Sequence, residues 1–576
     1  MLQIITGKFF KKAERHQTSR KAVLFSNYDW IQPIATCVGT LESIDSGGGI
    51  ATWVFSYVNQ MENEGGKFSI VRVGDDEIVE QFRLLLIFGL RAHFGAHRYE
   101  VEHYCRQTRT NVTDDSVPSQ MLSRYFSAGL MGKPEDPQNF AKLVEKTMSL
   151  KRERYLTTMA ALQTFCSALE ATSTSIDLAY SMLIYALESL AQGFDGYLPI
   201  WSDYDEKIRG AIDGLLAPVS ADISTGVRTA LLQSSHLKLS KRFISFVEAH
   251  TDDSFFIREA EGVKFAIRKP EFVRAVKNAY IMRSGYVHEL KPIISQLRVP
   301  TISQHDAFRW DDEPYLTVSG LARLTAHVLK NFIERGESVA SEDVNWRGQL
   351  PGVIKMKMSP EYWIHNPQGF TPQNAHARYS VYLEYFVVRI AGTEPITDMT
   401  AVMEKIEQTV PAAGTERQKT AMLCLYWVFN GWASKKFKRP KWDKFLTKYK
   451  NLLAQCCIDT FAARLVLGGK IEWGFDACHA CYTEYDQMRF NKSATHLPSA
   501  LETVMLATLA NKALTEGKNE LHVSYLKKAI LNCPGLMGIQ KLFLEALDKN
   551  TAIDCEKLLF GEPKTPKKSA AKVKNA

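Results

Sequence analysis

The sequence predicts a mainly α-helical chain that opens with an α+β N-terminal domain. Three observations lead there. β-Branched and aromatic runs crowd the first hundred-odd residues, apolar residues recur at helical 3/4 spacing further on, and the composition is that of a globular protein. The chain has 576 residues, 45% hydrophobic and 23% charged, which excludes a wholly disordered chain and supplies several cores. Its longest apolar runs, 84–90 and 421–433 broken by Asn430, fall short of the roughly 20 residues of a membrane span. No apolar stretch with a cleavage site opens the chain, so no secretory leader is expected.

Taken in order, residues 34–43 and 50–57 read as strands joined by a hairpin across Asp45-Ser46-Gly47-Gly48-Gly49. That glycine run is no phosphate-binding loop, because no Lys-Ser/Thr follows it. Residues 68–73 and 97–108 read as further strands, with a helix over 78–94 between them and Asp75 as its N-cap. From about 110 to 136 the chain turns polar, with Pro118 and a Lys133-Pro134 break, and reads as a linker. Helical stripes follow: Ile176, Ala179, Leu183, Leu187, Leu190; then Phe272, Val276, Ala279, Val287; then Leu321, Leu324, Val328, Phe332. A Pro-containing stretch over 350–372 marks the next break, and helix-like segments recur at 378–390, 401–408, 418–432, 499–513, 523–530 and 539–547. The expected organisation is an α+β domain (1–115), a linker (116–149), a central helical bundle (150–340), a second linker (341–372), and a C-terminal helical domain (373–560), bundle or solenoid. A basic disordered tail (561–576) closes the chain.

The net charge of +8 is concentrated. Residues 435–450 carry eight Lys or Arg against Asp443, and the tail from Pro563 carries five lysines without an acid, leaving −4 for the remainder. Polyanion attraction is thereby focused on two places. Ten cysteines do not make a disulfide scaffold in a chain this long, and Cys166, Cys424 and Cys457 lie in apolar stretches, so reduced thiols and a cytoplasmic location are expected.

The segment 277–288 contains Arg283-x4-His288. Arg-x4–6-His occurs five times here, so context must choose. Arg283 continues the stripe Phe272, Val276, Ala279, Val287, where a core residue belongs. A guanidinium there is costly without a partner. An earlier helix offers Glu188 beside its own apolar stripe. The other four matches straddle helix ends or prolines: Arg91/His97, Arg98/His103, Arg298/His305 and Arg489/His496.

With Tyr-x5-Ala-Leu-Glu-x-Leu at 180–190, Tyr-x2-Arg-Ser-x3-His at 280–288 and a closing helix through Phe332, the region of about 150–340 resembles the HEPN ribonucleases. The nearest likeness is to the ApeA-like HEPN proteins of bacterial antiphage defence. The resemblance implies a compact helical bundle that dimerises so that two Arg-x4–6-His motifs share a cleft. It implies metal-independent RNA cleavage without a cofactor, by a toxin effector of abortive infection. Its partners would be the RNA substrate, a second copy of the chain, and a phage-derived trigger or inhibitory partner, with no membrane. Two departures stand out: Ser284 follows the Arg where Asn, Asp or His is common in the family, and no Tyr lies two residues past His288.

The chemistry is coherent from first principles. Cleavage through the RNA 2′-OH needs a base for that proton and a cation for the charge growing on phosphorus. The His288 imidazole can take up or give a proton, and Arg283 presents a fork that matches non-bridging oxygens. Glu188 and Ser284 are read as orienting groups. The alternative is a catalytically silent HEPN scaffold that binds RNA or protein.

Three further candidates remain. Lys435, Lys436, Lys438, Arg439, Lys441 and Lys444 are read as an RNA-docking face, while Phe437, Trp442, Phe445 and Tyr449 interleave with them. Trp442, Phe445 and Tyr449, at 3/4 spacing, are expected to be core. Cys478-x2-Cys481 with Cys456-Cys457 upstream has zinc-ligand chemistry, but no second pair follows at knuckle spacing, so buried thiols are expected. His93-x3-His97 has metal spacing without an obvious third ligand. No metal site is expected.

Overall fold

The structure is a computed structural model. It describes residues 1–45, 49–63, 74–106, 117–194, 197, 200–201, 204, 206–232, 235–351, 353, 356, 358–392 and 396–561, except for the side chains of 235–239 and 390–392. The strand expected over 68–73, the hairpin residues 46–48 and the tail from 562 lie outside the described residues. The chain divides into two compact units, residues 1–354 and 355–576.

The first unit opens with β1 (Arg15–Ser26), β2 (Tyr28–Asp29), β3 (Ile34–Thr36), β4 (Gly39–Asp45), β5 (Ala51–Glu62), α1 (Asp76–Leu90) and β6 (Phe94–Gly95). Then come α2 (Arg98–Cys105), α3 (Pro118–Met121), α4 (Ser123–Phe126), β7 (Leu130–Met131), α5 (Asp136–Ser149), α6 (Arg152–Ala171) and α7 (Ile176–Ala191). The unit continues with α8 (Glu206–Leu216), α9 (Ala221–Leu232), α10 (Ser235–Ala249), α11 (Asp253–Phe256) and α12 (Lys269–Glu289). It closes with α13 (Pro300–Ser303), β8 (Ala307–Trp310), β9 (Glu313–Leu316) and α14 (Val318–Glu334).

The expected α+β opening is a five-stranded antiparallel sheet of order β3-β4-β5-β1-β6. The expected hairpin joins β4 to β5. Alternation aims Ala51, Trp53, Phe55 and Tyr57 of β5 into the core, and Phe55 stacks on Phe82 of α1 with centroids 3.8 Å apart. Asp75 holds the N-cap position of α1, but its carboxylate goes to Arg20 and Asn59 rather than to the helix.

Two expectations are corrected here. Residues 98–105 form helix α2, not a strand. Glu100 reaches back to the backbone N–H of His97, and an Arg98–Glu102 ion pair one turn apart serves a helix and nothing in a strand. Residues 117–149 are not a linker. They hold α3, α4, β7 and α5, and bury Met121, Leu122, Tyr125, Phe126, Phe140 and Val144. Pro118 and Pro137 sit in the first turns of α3 and α5, where a missing N–H costs nothing.

Helices α6, α7, α12 and α14 pack as a bundle around α7. The stripe on α7 is buried at all five expected positions, as is the stripe on α14. On α12 the stripe is cut short: Phe272, Val276 and Ala279 are buried, while Val287 is 38% exposed.

The second unit is entirely helical among its described residues: α15 (Ala375–Gly392), α16 (Thr400–Thr409), α17 (Glu416–Trp432), α18 (Trp442–Thr447), α19 (Lys450–Ala454) and α20 (Ile458–Val466). It ends with α21 (Phe475–Gln487), α22 (Ser499–Thr515), α23 (Asn519–Leu531), α24 (Met537–Lys549) and α25 (Cys555–Phe560). All six expected segments fall inside helices. Helix α17 buries six consecutive residues from Ala421 to Tyr426 among α15, α16 and α20. A helix covered all round is the centre of a bundle, not one layer of a solenoid. Among the described residues, no helix is long and apolar enough to cross a membrane.

Candidate functional site

Helix α12 carries the Arg-x4-His segment, and α7 and β9 hold it. Pro270 opens the helix with its fixed φ. One turn on, Arg274 pairs with Glu313 of β9, and Asn278 donates to the Glu313 carboxylate and to the Pro314 carbonyl at 3.0 Å. On α7, the buried Tyr180 hydroxyl donates to the Leu316 carbonyl at 3.1 Å. Asp177 accepts the Ile293 N–H at 2.8 Å and pairs with Arg298, fastening the chain that leaves α12. Leu290, in the left-handed region at φ 53°, ends the helix.

Beyond Ala279 the helix leaves the core, and there the Arg is met by the expected carboxylate. Arg283 Nη2 donates to Glu188 Oε2 at 2.5 Å, with the two side chains 14% and 20% exposed. The guanidinium lies over the Tyr185 ring, 4.5 Å from its centroid, and 5.8 Å from that of Tyr280. Burial, and after it the nearby Glu188 carboxylate, raise the Tyr280 hydroxyl above its usual range. Burial pushes the Glu188 carboxyl above its usual range, outweighing the opposite pull of Arg283 and Tyr280. Arg283 Nε is buried and, among the described residues, has no hydrogen-bond partner. The site therefore holds a cation already aimed, on an aromatic platform, with a donor left over.

His288 is exposed in the last turn of α12. It lies five positions on from Arg283, roughly 140° around the helix and about 7.5 Å along it, so the two side chains leave on different faces. Among the described residues, His288 makes no hydrogen bond or ion pair. Nor does the half-buried Ser284 side chain. The platform residues Tyr185 and Tyr280 carried a signal that went unread. Each precedes its charged neighbour, Glu188 or Arg283, by three residues, which puts ring and charge on one helix face.

The basic stretch divides. Arg439 is not a free docking residue: it pairs with Glu404 at 2.6 Å and Glu407 at 3.0 Å, and its N–H is taken by Asn430 Oδ1. Lys438 is half-buried, with its ammonium near the Gly431 carbonyl and 5.9 Å from the Trp442 ring centroid. Lys435, Lys436, Lys441 and Lys444 are exposed. Trp442, Phe445 and Tyr449 pack, half-buried, against the core of the second unit as their spacing required.

Cys478 and Cys481 are buried on α21, with Cys456 and Cys457 half-buried beside them. Cys478 draws the Cys456 thiol down, but Cys481 and burial push it up to about 12. Protonated thiols of this kind are inert. His93 is buried and, through that burial, its pKa falls to about 3. Among the described residues, no group of three or more His, Cys, Asp or Glu is arranged to hold a metal ion.

Comparison of the chain with protein-family models, with curated proteins and with solved structures found no match.

Proposed function

We propose that this chain is a metal-independent endoribonuclease of the HEPN type, acting as a cytoplasmic toxin effector in antiphage defence. One observation carries the reading. Arg283 is held by Glu188 over two tyrosine rings, with its Nε unsatisfied, about one and a half turns before an exposed histidine. A guanidinium in that state can exchange part of its contact with Glu188 for non-bridging phosphate oxygens without being rebuilt. His288 would take the 2′-OH proton as base, and a second His288 would protonate the departing 5′-oxygen. The attack leaves a cyclic phosphate on one fragment and a 5′-hydroxyl on the other.

Two copies are needed because Arg283 and His288 diverge around one helix. The end of α12 offers a surface for the second: Ile281 is 55% exposed, Val287 38% and Leu290 79%. A homodimer burying these residues would bring Arg283 and His288 of both chains to one cleft. The RNA cut, and the phage-derived trigger or inhibitor that controls the cut, belong to the same proposal.

The test is cleavage of RNA by the purified full chain in EDTA, with Arg283→Ala and His288→Ala alongside. Loss of cleavage in both variants, with folding and dimerisation kept, supports the assignment. An inactive wild type that still binds RNA or a protein partner would favour the silent scaffold.

A further inference from the structure

A second cationic site lies in the first unit and uses no residue of the Arg283–His288 segment. Arg91, Arg124 and Arg323 line one pocket together with Ser319 and Tyr125. Three separate elements supply them. Arg91 is the C-cap of α1, in the left-handed region at φ 52°, a conformation that glycine or asparagine adopts at lower cost. Arg124 lies in α4. Ser319 and Arg323 are one turn apart at the start of α14.

The charges do not balance. Arg323 is satisfied by both carboxylate oxygens of Asp306 and by the Phe255 carbonyl. The carboxylate of Glu259, which is close enough to feel Arg91, is taken by His327 at 3.1 Å and Lys330 at 4.0 Å. Among the described residues, no carboxylate pairs with Arg91 or Arg124. Burial, with the charges of Arg91 and Arg323 added, holds the Arg124 guanidinium below its usual range. Two arginines from different elements thus share an opening with no counter-ion of their own. Its throat has about 10 Å³ of free space, room for a single water-sized group.

We propose that this pocket binds a terminal phosphate, free or as a phosphate monoester. One oxygen would enter the throat and the others would face the Arg91 and Arg124 guanidinia, with the Ser319 hydroxyl as a further donor. A terminal phosphate carries up to two charges, matching the two unpaired cations. A carboxylate or a backbone phosphodiester carries one and would leave a half-buried cation unpaired. Tetrahedral oxygens also suit guanidinium forks approaching from different elements.

The test is calorimetric titration of the full chain with inorganic phosphate and with glycerol 3-phosphate, at constant ionic strength set with chloride. Both probes should bind the wild type if monoesters are accepted, and phosphate alone if only the free anion fits; either outcome supports the site. Arg124→Gln should weaken binding by roughly tenfold or more, and Arg91→Gln/Arg124→Gln should abolish it. In chloride, Arg124→Gln should melt no lower than the wild type, since it removes like-charge repulsion. It therefore decides the matter even if the change at the Arg91 cap prevents folding. Absence of phosphate binding to the wild type, or equal affinity for wild type and Arg124→Gln, would overturn the proposal.

Discussion

Two arginine–carboxylate pairs in the first unit have the same chemistry and opposite construction. Arg323 and Asp306 are 5% and 1% exposed. Nε and Nη2 bind the two carboxylate oxygens at 2.9 and 2.6 Å, Nη1 binds the Phe255 carbonyl, and Asp306 also accepts the Ile267 N–H. Arg283 and Glu188 are joined by one contact, remain partly open to solvent, and leave Nε empty. The first pair commits all three guanidinium nitrogens and both carboxylate oxygens to the fold. The second has capacity in reserve, and burial makes its carboxylate an uneasy partner. Saturation marks a structural joint, and incomplete saturation marks a group available to a ligand.

Substitutions can break that contrast. The largest effect is expected at the open pair's helix: Arg283→Ala and His288→Ala should each lower RNA cleavage by about 10²–10⁴ while leaving the urea midpoint nearly unchanged. Wild-type rates in either variant would remove the chemistry from this helix. Arg323→Ala should do the reverse, costing roughly 3–5 kcal/mol of stability because Asp306 is left buried and unpaired. Urea or thermal melts in phosphate-free buffer measure it, and a cost under about 1 kcal/mol would void the distinction between the pairs.

Glu188→Gln sharpens the comparison from the acid side. Gln keeps a hydrogen bond to Arg283, so stability should fall by less than about 1 kcal/mol and cleavage by roughly tenfold, less than in His288→Ala. The folded-state pKa of Glu188 is raised, so its contribution to stability is present at acid pH and lost as pH rises through that value. The variant should flatten that part of the melting profile. A rate loss as deep as that of His288→Ala would place Glu188 in the chemistry itself.

The smallest effect concerns the basic stretch of the second unit. Replacing Lys435, Lys436 and Lys444 with Ser should weaken RNA binding and lower the salt slope by up to about 2, with cleavage of saturating RNA intact. Arg439→Ser should instead destabilise the second unit, since Glu404 and Glu407 both lose their guanidinium partner. Anisotropy titrations at several salt concentrations separate the two, and an unchanged slope in the lysine variant leaves those lysines as solvated surface.

The Arg283–Glu188 contact was legible because both residues interrupt or flank strong apolar stripes, and a charge at a core position demands a partner. Six helices of the second unit were legible from their periodicity, among them its longest, α15, α17 and α22. What the pattern hid follows from local chemistry. Strand β1 escaped notice because its first five residues are exposed and polar; its partner across twelve ladder pairs, β5, supplies the alternation. Pro118, read as part of a linker, starts a helix, and the Lys133-Pro134 break leads straight into another that begins at Asp136. Val287 continued the stripe by spacing, yet the elements packed on α12 do not extend that far. Periodicity predicts which face is apolar, not whether anything is there to cover it. The pocket of three arginines was invisible for another reason: Arg91, Arg124 and Arg323 are far apart in sequence, and no motif joins them.

The partial burial of α12 also has a mechanical meaning. The helix is a beam clamped at its root by Phe272, Val276 and the Glu313 contacts, and steadied partway by Glu188 under Arg283. Past that support the last turn is uncovered, until Asp177 takes hold of Ile293 just beyond it. Arg283 stands at the first hold. His288 stands on the bare span between the two, so Glu188 and Asp177, both on α7, together fix where the imidazole is presented.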